Sequence, residues 1–259
     1  MGNEYHINSI LRAIEILERF DHERAEIGIT EMARELHLYK STVHRIVSTL
    51  ETKNILEKNS KTGKYRLGLN LYKLGILARD ENALIAVCAP RLAKLTEATG
   101  ETSNLVILDG NMIMYAAQEQ SQRMVRMFAK LGARVFPHCS AAGKVLLADM
   151  EEASRDAILD ATGLPRYTPT TVTDKAKLEE ELAWVRQEGY ALDREERENG
   201  VICIAAPIRN SGGETVAAVS ISGPKDRLNQ DVRPEMISAV KQAAREISVE
   251  LGCRAMTRK

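Results

Sequence analysis

The chain has 259 residues, enough for two domains, and its 44% hydrophobic and 28% charged residues suit packed cores with a soluble surface. No apolar leader opens it and no apolar run approaches the roughly 20 residues of a membrane-spanning helix, which argues against a membrane partner and for a cytoplasmic protein. A net charge of zero would alone argue against nucleic acid, but the charge is segregated: residues 1–38 carry four basic against eight acidic residues, and residues 39–68 carry seven against two.

Taken in order, Ile10, Ala13, Ile14 and Leu17 have helical spacing behind Ser9 as cap. His22–Glu26 reads as a polar loop. Thr30 is the expected cap of a second helix with Met32, Ala33 and Leu36 inward. After the turn His37-Leu38-Tyr39, Val43, Ile46, Val47 and Leu50 form one apolar stripe of a third helix, with Ser41 or a neighbour as cap. Its other face offers Lys40, Ser41, Thr42, His44, Arg45 and Ser48, hydrogen-bonding and cationic groups suited to a DNA major groove. The segment ILEKNSKTGKYRLG alternates about a Lys-Thr-Gly turn as a β-hairpin. Its Lys58, Lys61 and Lys64 are either a solvated tip or a wing that meets phosphates, contacts that position without reading bases.

Residues 69–88 are again helical in pattern and predict a stiff connector between residues 1–68 and 89–259, with Pro90 starting a further helix. Ser103–Leu108 and Met112–Ala117 read as strands joined through Asp-Gly, and Met124–Leu131 as another. Helices follow at Ala141–Asp149, Glu152–Ala161 and from the Asp174 cap to Gly189. Strands are expected at Tyr190–Asp193, Val201–Ile208 and Thr215–Ser222, then a long helix at Asp231–Cys253. Hairpins and outer helices without a strict βαβ rhythm indicate an α+β fold with an antiparallel sheet.

Two stretches offer chemistry. In HCSAAGK a helix beginning at Ala141 leaves backbone N–H groups free, with Ser140 as cap, and small residues let an anion approach. The competing reading is a small-residue helix start that only packs tightly. Ser220 and Ser222, two apart on a strand, face one side, either solvent or a polar pocket. Cys203, His138 and Asp193 are types that could serve as nucleophile, base and orienter of a thiol hydrolase, with the N-terminal half as an interaction module. However, Cys203 sits inside a strand, away from the helix N-terminus that would activate it. The cysteines (Cys88, Cys139, Cys203, Cys253) are far apart and no metal-binding or phosphate-loop spacing occurs, so no metal, cofactor or disulfide framework is expected.

The chain resembles the IclR family of bacterial transcription regulators. The resemblance rests on ITEMARELHLYKSTVHRIVSTLE, KTGKYRLG, FPHCSAAGKVLLA, GYALDREERENGVICIAAPI and GETVAAVSISGP. It implies an N-terminal winged helix-turn-helix, a linker helix and a C-terminal GAF-like effector domain, and a regulator rather than an enzyme. It further implies homodimers or dimers of dimers on palindromic operators in double-stranded DNA, repression of a catabolic operon, and a small organic acid as effector. By the same resemblance the effector's carboxylate meets the N–H groups of Ala141 and Ala142, where the family often has glycine at the position of Ala141. Its other oxygens meet Asp193, Cys203, Ser220 and Ser222. Glu198 and Gly200 shape the loop, and Arg126 and Met127, on a facing strand, are secondary lining candidates.

Overall fold

The computed structural model describes residues 6–21, 24–80, 83–230 and 233–253. His22 and Glu23 of the expected loop, residues 81 and 82 of the expected connector, and Asp231 and Val232 at the expected start of the last helix lie outside the described residues. The chain divides into two compact units, up to residue 81 and from residue 82.

In the first unit, helices α1 (Asn8–Leu17), α2 (Ile29–Glu35) and α3 (Lys40–Thr52) precede strands β1 (Leu56–Lys58) and β2 (Tyr65–Leu67), then α4 (Leu69–Asp80). The core is Ile16, Ile27, Met32, Val43, Val47, Leu56 and Tyr65, so the expected stripe of α3 does face inward. Ile27 pairs with Tyr65 through two backbone hydrogen bonds of 2.9 Å, which ties the chain before α2 to the hairpin. Gly68 is there for a close approach: a Cβ would stand 2.3 Å from the Asn54 carbonyl oxygen. Three expected caps are corrected. Helix α1 follows Ile7 and α3 follows Tyr39, neither with a side-chain cap, so Ser9 and Ser41 do not cap. Helix α2 starts from Gly28, whose N–H donates to Glu31 Oε2 at 2.8 Å, so a carboxylate reaching back replaces Thr30.

The second unit is a six-stranded antiparallel sheet. Its strands are β3 (Thr102–Asp109), β4 (Met112–Glu119), β5 (Arg134–Val135), β6 (Ala191–Arg194), β7 (Val201–Arg209) and β8 (Thr215–Pro224), in the order β5-β4-β3-β8-β7-β6. Helices α5 (Ala83–Thr99) and α9 (Arg233–Glu250) cover one face through Cys88, Leu92, Leu95, Val240, Ala244 and Ile247. Helices α6 (Ala141–Ala148), α7 (Glu152–Thr162) and α8 (Lys175–Glu188) cover the other, where Val145, Leu147, Leu159, Leu178 and Leu182 meet Val106, Ala205 and Ala218. Asp174 caps α8 by accepting the Lys177 N–H at 2.9 Å, and α8 ends at Gly189, both as expected.

Two expectations fail in this unit. Pro90 lies inside α5 and does not begin a helix: Cys88 on one side and Leu92 and Leu95 on the other are buried against the sheet, which holds the helix through one missing N–H. Residues 124–131 form no strand. Side chains take their carbonyls instead, Thr102 Oγ1 donating to Met127 at 2.8 Å and Gln118 Nε2 to Ala129 at 3.0 Å, and the sheet edge is completed by the short β5.

Gly143, in the first turn of α6, packs on a 3₁₀ turn at Pro137–Cys139; a Cβ there would stand 2.2 Å from Pro137 O and 2.4 Å from its Cα. Both obstacles are backbone, so Gly143→Ala is expected to destabilise the second unit by about 1–3 kcal/mol. A urea midpoint equal to wild type would contradict this packing.

Candidate functional sites

On α3 of the first unit, Lys40, Ser41, His44 and Arg45 are exposed and Thr42 and Ser48 partly so, opposite the buried Val43 and Val47. Arg45 also borders an apolar groove with Ile10, Ile14, Ile46 and Leu71. Tyr39, just before the helix, is fully presented to solvent at 84% exposure, a residue that sequence reasoning left in a turn. The wing lysines are not equivalent. Lys64 Nζ is 3.2 Å from Glu31, the carboxylate that also caps α2, and Arg66 pairs with Glu57 at 3.0 Å. Lys58 lies over the Tyr65 ring, 5.8 Å from its centre. Among the described residues, Lys40, Arg45, Lys53, Lys58 and Lys61 make no ion pair, so the cationic surface of this segment is carried by five of its seven basic residues.

In the second unit the register of the sheet builds a polar wall. Asp193 stands opposite Cys203, Cys203 opposite Ser222, and Ser222 opposite Thr102, a row across four strands. Two residues along, Ala205 stands opposite Ser220, Ser220 opposite Asn104, and Asn104 opposite Gln118. Period-two alternation puts both rows on one face, toward α6. Between this wall and α6 lies a cavity of about 60 Å³. It is lined by all six predicted residues (Ala141, Ala142, Asp193, Cys203, Ser220 and Ser222) together with Thr102, Asn104, Tyr115 and Ser140. Met127 lines it as well, from a loop and not from a strand, whereas Arg126 is exposed and donates to Arg123 O. Arg197 and Glu198 are its exposed lining residues and mark its mouth.

Ser140 caps α6: its Oγ accepts the Gly143 N–H at 3.1 Å and its carbonyl accepts the Lys144 N–H at 3.0 Å. Among the described residues, no acceptor is paired with the N–H groups of Ala141 and Ala142, which carry the positive end of the helix dipole. Gly143 is small for a different reason, its contact with Pro137, so both readings of the small-residue run hold at different positions. A third donor is also open. Gln118 Nε2 donates to Asn104 Oδ1 at 2.9 Å, which turns the buried Asn104 Nδ2 elsewhere, and it has no partner.

The site loop after β6 is fixed by a wholly buried cation. Lys144 Nζ lies 2.6 Å from the Glu196 carboxylate, 2.9 Å from Glu181 and 3.2 Å from Leu192 O. Glu196 N–H in turn donates to Asp193 Oδ1 at 2.7 Å.

Models of two known domains match the chain: the IclR helix-turn-helix domain over residues 9–60 and the bacterial transcriptional regulator IclR C-terminal domain over residues 77–249. The chain belongs to the IclR family. It is thus a DNA-binding transcriptional regulator. Over 96% of its length it is 37% identical to the HTH-type transcriptional regulator BhcR of Paracoccus denitrificans, spanning 88% of that protein. Over 94% it is 34% identical to the transcriptional repressor AllR of Escherichia coli, spanning 90% of that protein. Among solved structures, an IclR regulator from Alicyclobacillus acidocaldarius aligns with a TM-score of 0.87 at 26% identity, covering 96% of this chain and all of that one. An IclR homologue of Microbacterium hydrocarbonoxydans complexed with 4-hydroxybenzoate aligns with a TM-score of 0.83 at 29% identity, over 94% and 98% of the two chains.

This IclR-family cavity lacks the geometry of a thiol hydrolase. His138 is buried, its Nε2 donates to Pro165 O at 3.1 Å, and burial holds its pKa below the usual value. Among the described residues it bonds neither Cys203 nor Asp193. Burial, then the neighbouring Asp193, push the Cys203 thiol up, and burial pushes Cys139 up to about 12. Burial also raises Asp193 to about 7. Among the described residues no group of three His, Cys, Asp or Glu is placed to hold a metal, and no helix is long and apolar enough to cross a membrane.

Sequence reasoning missed Thr102 and Asn104, which repeat the alternate polar spacing of Ser220 and Ser222, and it missed Lys144 entirely. All four cysteines are free, and iodoacetamide at neutral pH is expected to label Cys139 and Cys203 more slowly than an unstructured peptide thiol. Labelling faster than the peptide would reveal an activated thiolate and restore the hydrolase reading.

Proposed function

We propose that this IclR-family regulator is a repressor of a catabolic operon whose grip on a palindromic operator answers to a small organic acid bound in the cavity. The observation that carries this reading is the set of unpaired donors on one polar cavity: the N–H groups of Ala141 and Ala142 and the Nδ2 of Asn104. Three donors without acceptors suit a ligand rich in oxygen, and a helix N-terminus suits its carboxylate. Ser220, Ser222, Cys203 and Asp193 meet the remaining oxygens. The 4-hydroxybenzoate complex of the Microbacterium homologue supports an acid as ligand, and the AllR name supports repression. A homodimer, or a dimer of dimers, supplies the two recognition helices that a palindrome needs. Ligand binding alters operator affinity by favouring one of two states of the assembly.

On DNA, Lys40, Ser41, Thr42, His44, Arg45 and Ser48 face the major groove, and Lys58 and Lys61 reach phosphates. Lys64 contributes less because Glu31 holds it. In the cavity, a ligand carboxylate and an ionised Asp193 would repel, so Asp193 binds the acid in its protonated form and donates to it. This departs from the acceptor role that an ionised side chain would have.

Four measurements test the reading. A carboxylic-acid library screened by thermal shift should yield a hit, worth about 2.7 kcal/mol of stabilisation at a hundredfold excess over Kd. The reading is overturned if that acid leaves operator affinity unchanged in gel shifts. Arg45→Ala should cost about 1–3 kcal/mol per half-site on operator DNA and little on random DNA if Arg45 reads a base. Lys61→Ala should lower the slope of log K against log salt by about 0.9 for each wing bound to the operator, and Lys64→Ala by less; equal slopes would remove the distinction between them.

The pH dependence follows from Asp193. Its pKa is about 7 when folded, against an ordinary value of 3.8, so between these values the folded state holds a proton that the unfolded state lacks. Ligand-free stability should therefore fall as pH rises through that window. Acid affinity should fall about tenfold per pH unit above about 7, with about one proton taken up on binding, measured by calorimetry in buffers of different ionisation heat. Asp193→Asn should flatten both profiles, and a variant with the wild-type profile would assign the proton elsewhere.

A further inference from the structure

Among the described residues, Arg197 is the only cationic side chain lining the cavity, and it makes no ion pair. Its guanidinium carbon lies 3.9 Å from the centre of the Tyr167 ring. That stack is well supported. Tyr167 N–H donates to Thr171 Oγ1 at 3.0 Å, and the Phe136 ring lies 6.0 Å away. The hydroxyls of Thr168 and Thr170 donate to Glu195 O at 2.7 and 2.8 Å, and that of Thr171 to Glu196 O at 2.6 Å. The threonines thus clamp the tyrosine loop onto the segment that bears Arg197.

A guanidinium stacked on a ring uses its face and keeps its in-plane N–H fork available. Its positive charge is felt inside the site, where it opposes the upward push of burial on Tyr115 and Cys139 and adds to the lowering of His138. Glu198, the acidic neighbour at the mouth, makes no ion pair with it within 4 Å. Elsewhere on its lining the cavity already has anion donors in Ala141 and Ala142. A fork at the mouth, pre-positioned and without a carboxylate, calls for a second one from the ligand.

We propose that Arg197 is a specificity-determining residue of this cavity: it pairs with a second carboxylate, so that the site takes short dicarboxylic acids in preference to the matching monocarboxylic acids. The inference rests on the acid-binding reading above and deepens it.

Calorimetry on the full-length protein with malate against lactate, and succinate against propionate, tests it, since each pair differs by one carboxylate on a methyl carbon. Wild type should prefer the dicarboxylate of at least one pair. Arg197→Met, which keeps an apolar stem over the ring, should weaken that acid about 10–100-fold, the range of a charge-assisted hydrogen bond, and leave its monocarboxylate within about twofold. Arg197→Lys should recover part of the loss, because it restores the charge without the fork. An unchanged ligand-free unfolding midpoint of the methionine variant shows that the loss lies in binding. Wild type binding the monocarboxylates as well as or better than their dicarboxylates overturns the Arg197 assignment and retains the acid-binding reading. Equal weakening of both members by Arg197→Met, or no weakening, also overturns it. Wild type binding none of the four acids overturns both.

Discussion

Lys144 Nζ is completely enclosed, and an ammonium there is tolerable only because carboxylates and a carbonyl surround it. Removing one charge from water costs several kcal/mol, and only good geometry offsets that. The partners come from different places: Glu181 from α8, Leu192 from β6 and Glu196 from the loop that follows. The interactions that stabilise the charge therefore also set the spacing of three elements about the first turns of α6. Ala141 and Ala142 open the helix that carries Lys144, and Asp193 is joined to the knot by the Glu196 N–H. The threonine clamp grips the same loop from outside. A segment without regular structure is thereby pinned at Glu195 and Glu196 from several elements, as a preorganised polar site requires.

What could be read in advance follows from which signals are local. The stripe Val43, Ile46, Val47 and Leu50 and the alternation of Ser220 and Ser222 are period signals within single elements: the first fixed which face of α3 packs inward, and the second put both serines on one face without deciding between solvent and a pocket. The assignments to Asp193, Cys203, Ala141 and Ala142 came from family resemblance, and the register brings these residues to the same cavity. Thr102 and Asn104 were harder, because their membership depends on β3 pairing with β8, more than a hundred residues away. Residues 124–131 have a strand's composition, yet Thr102 and Gln118 satisfy their carbonyls, and Met124, Val125, Phe128 and Leu131 stay exposed. Lys144 gave no signal at all: a lysine in AAGKVLLA reads as surface until its two carboxylates are brought in from the rest of the fold.

The charge pattern has the same logic in both units. In the first, a local excess of five positive charges is not a uniform patch, because Glu31 and Glu57 neutralise Lys64 and Arg66. Glu31 does two jobs at once, closing the start of α2 and holding a lysine of the hairpin. The cations left without carboxylates lie on α3, just after it and along the hairpin, which concentrates the attraction for phosphate on that surface.

In the second unit Lys144 and the two carboxylates that hold it lie outside the lining of the cavity. On the lining itself, burial favours the neutral forms of Asp193 and Cys203. What remains is an excess of donors: two backbone N–H groups at a helix start and an amide nitrogen. Fixed dipoles in a poorly solvated space select by the position of each oxygen, since every misplaced ligand oxygen leaves one donor unpaired at a cost of about 1–3 kcal/mol. A cavity walled by full charges would instead attract any anion. The neutral wall, with its one cation kept at the mouth, therefore suits discrimination among related acids better than sheer affinity for acids as a class.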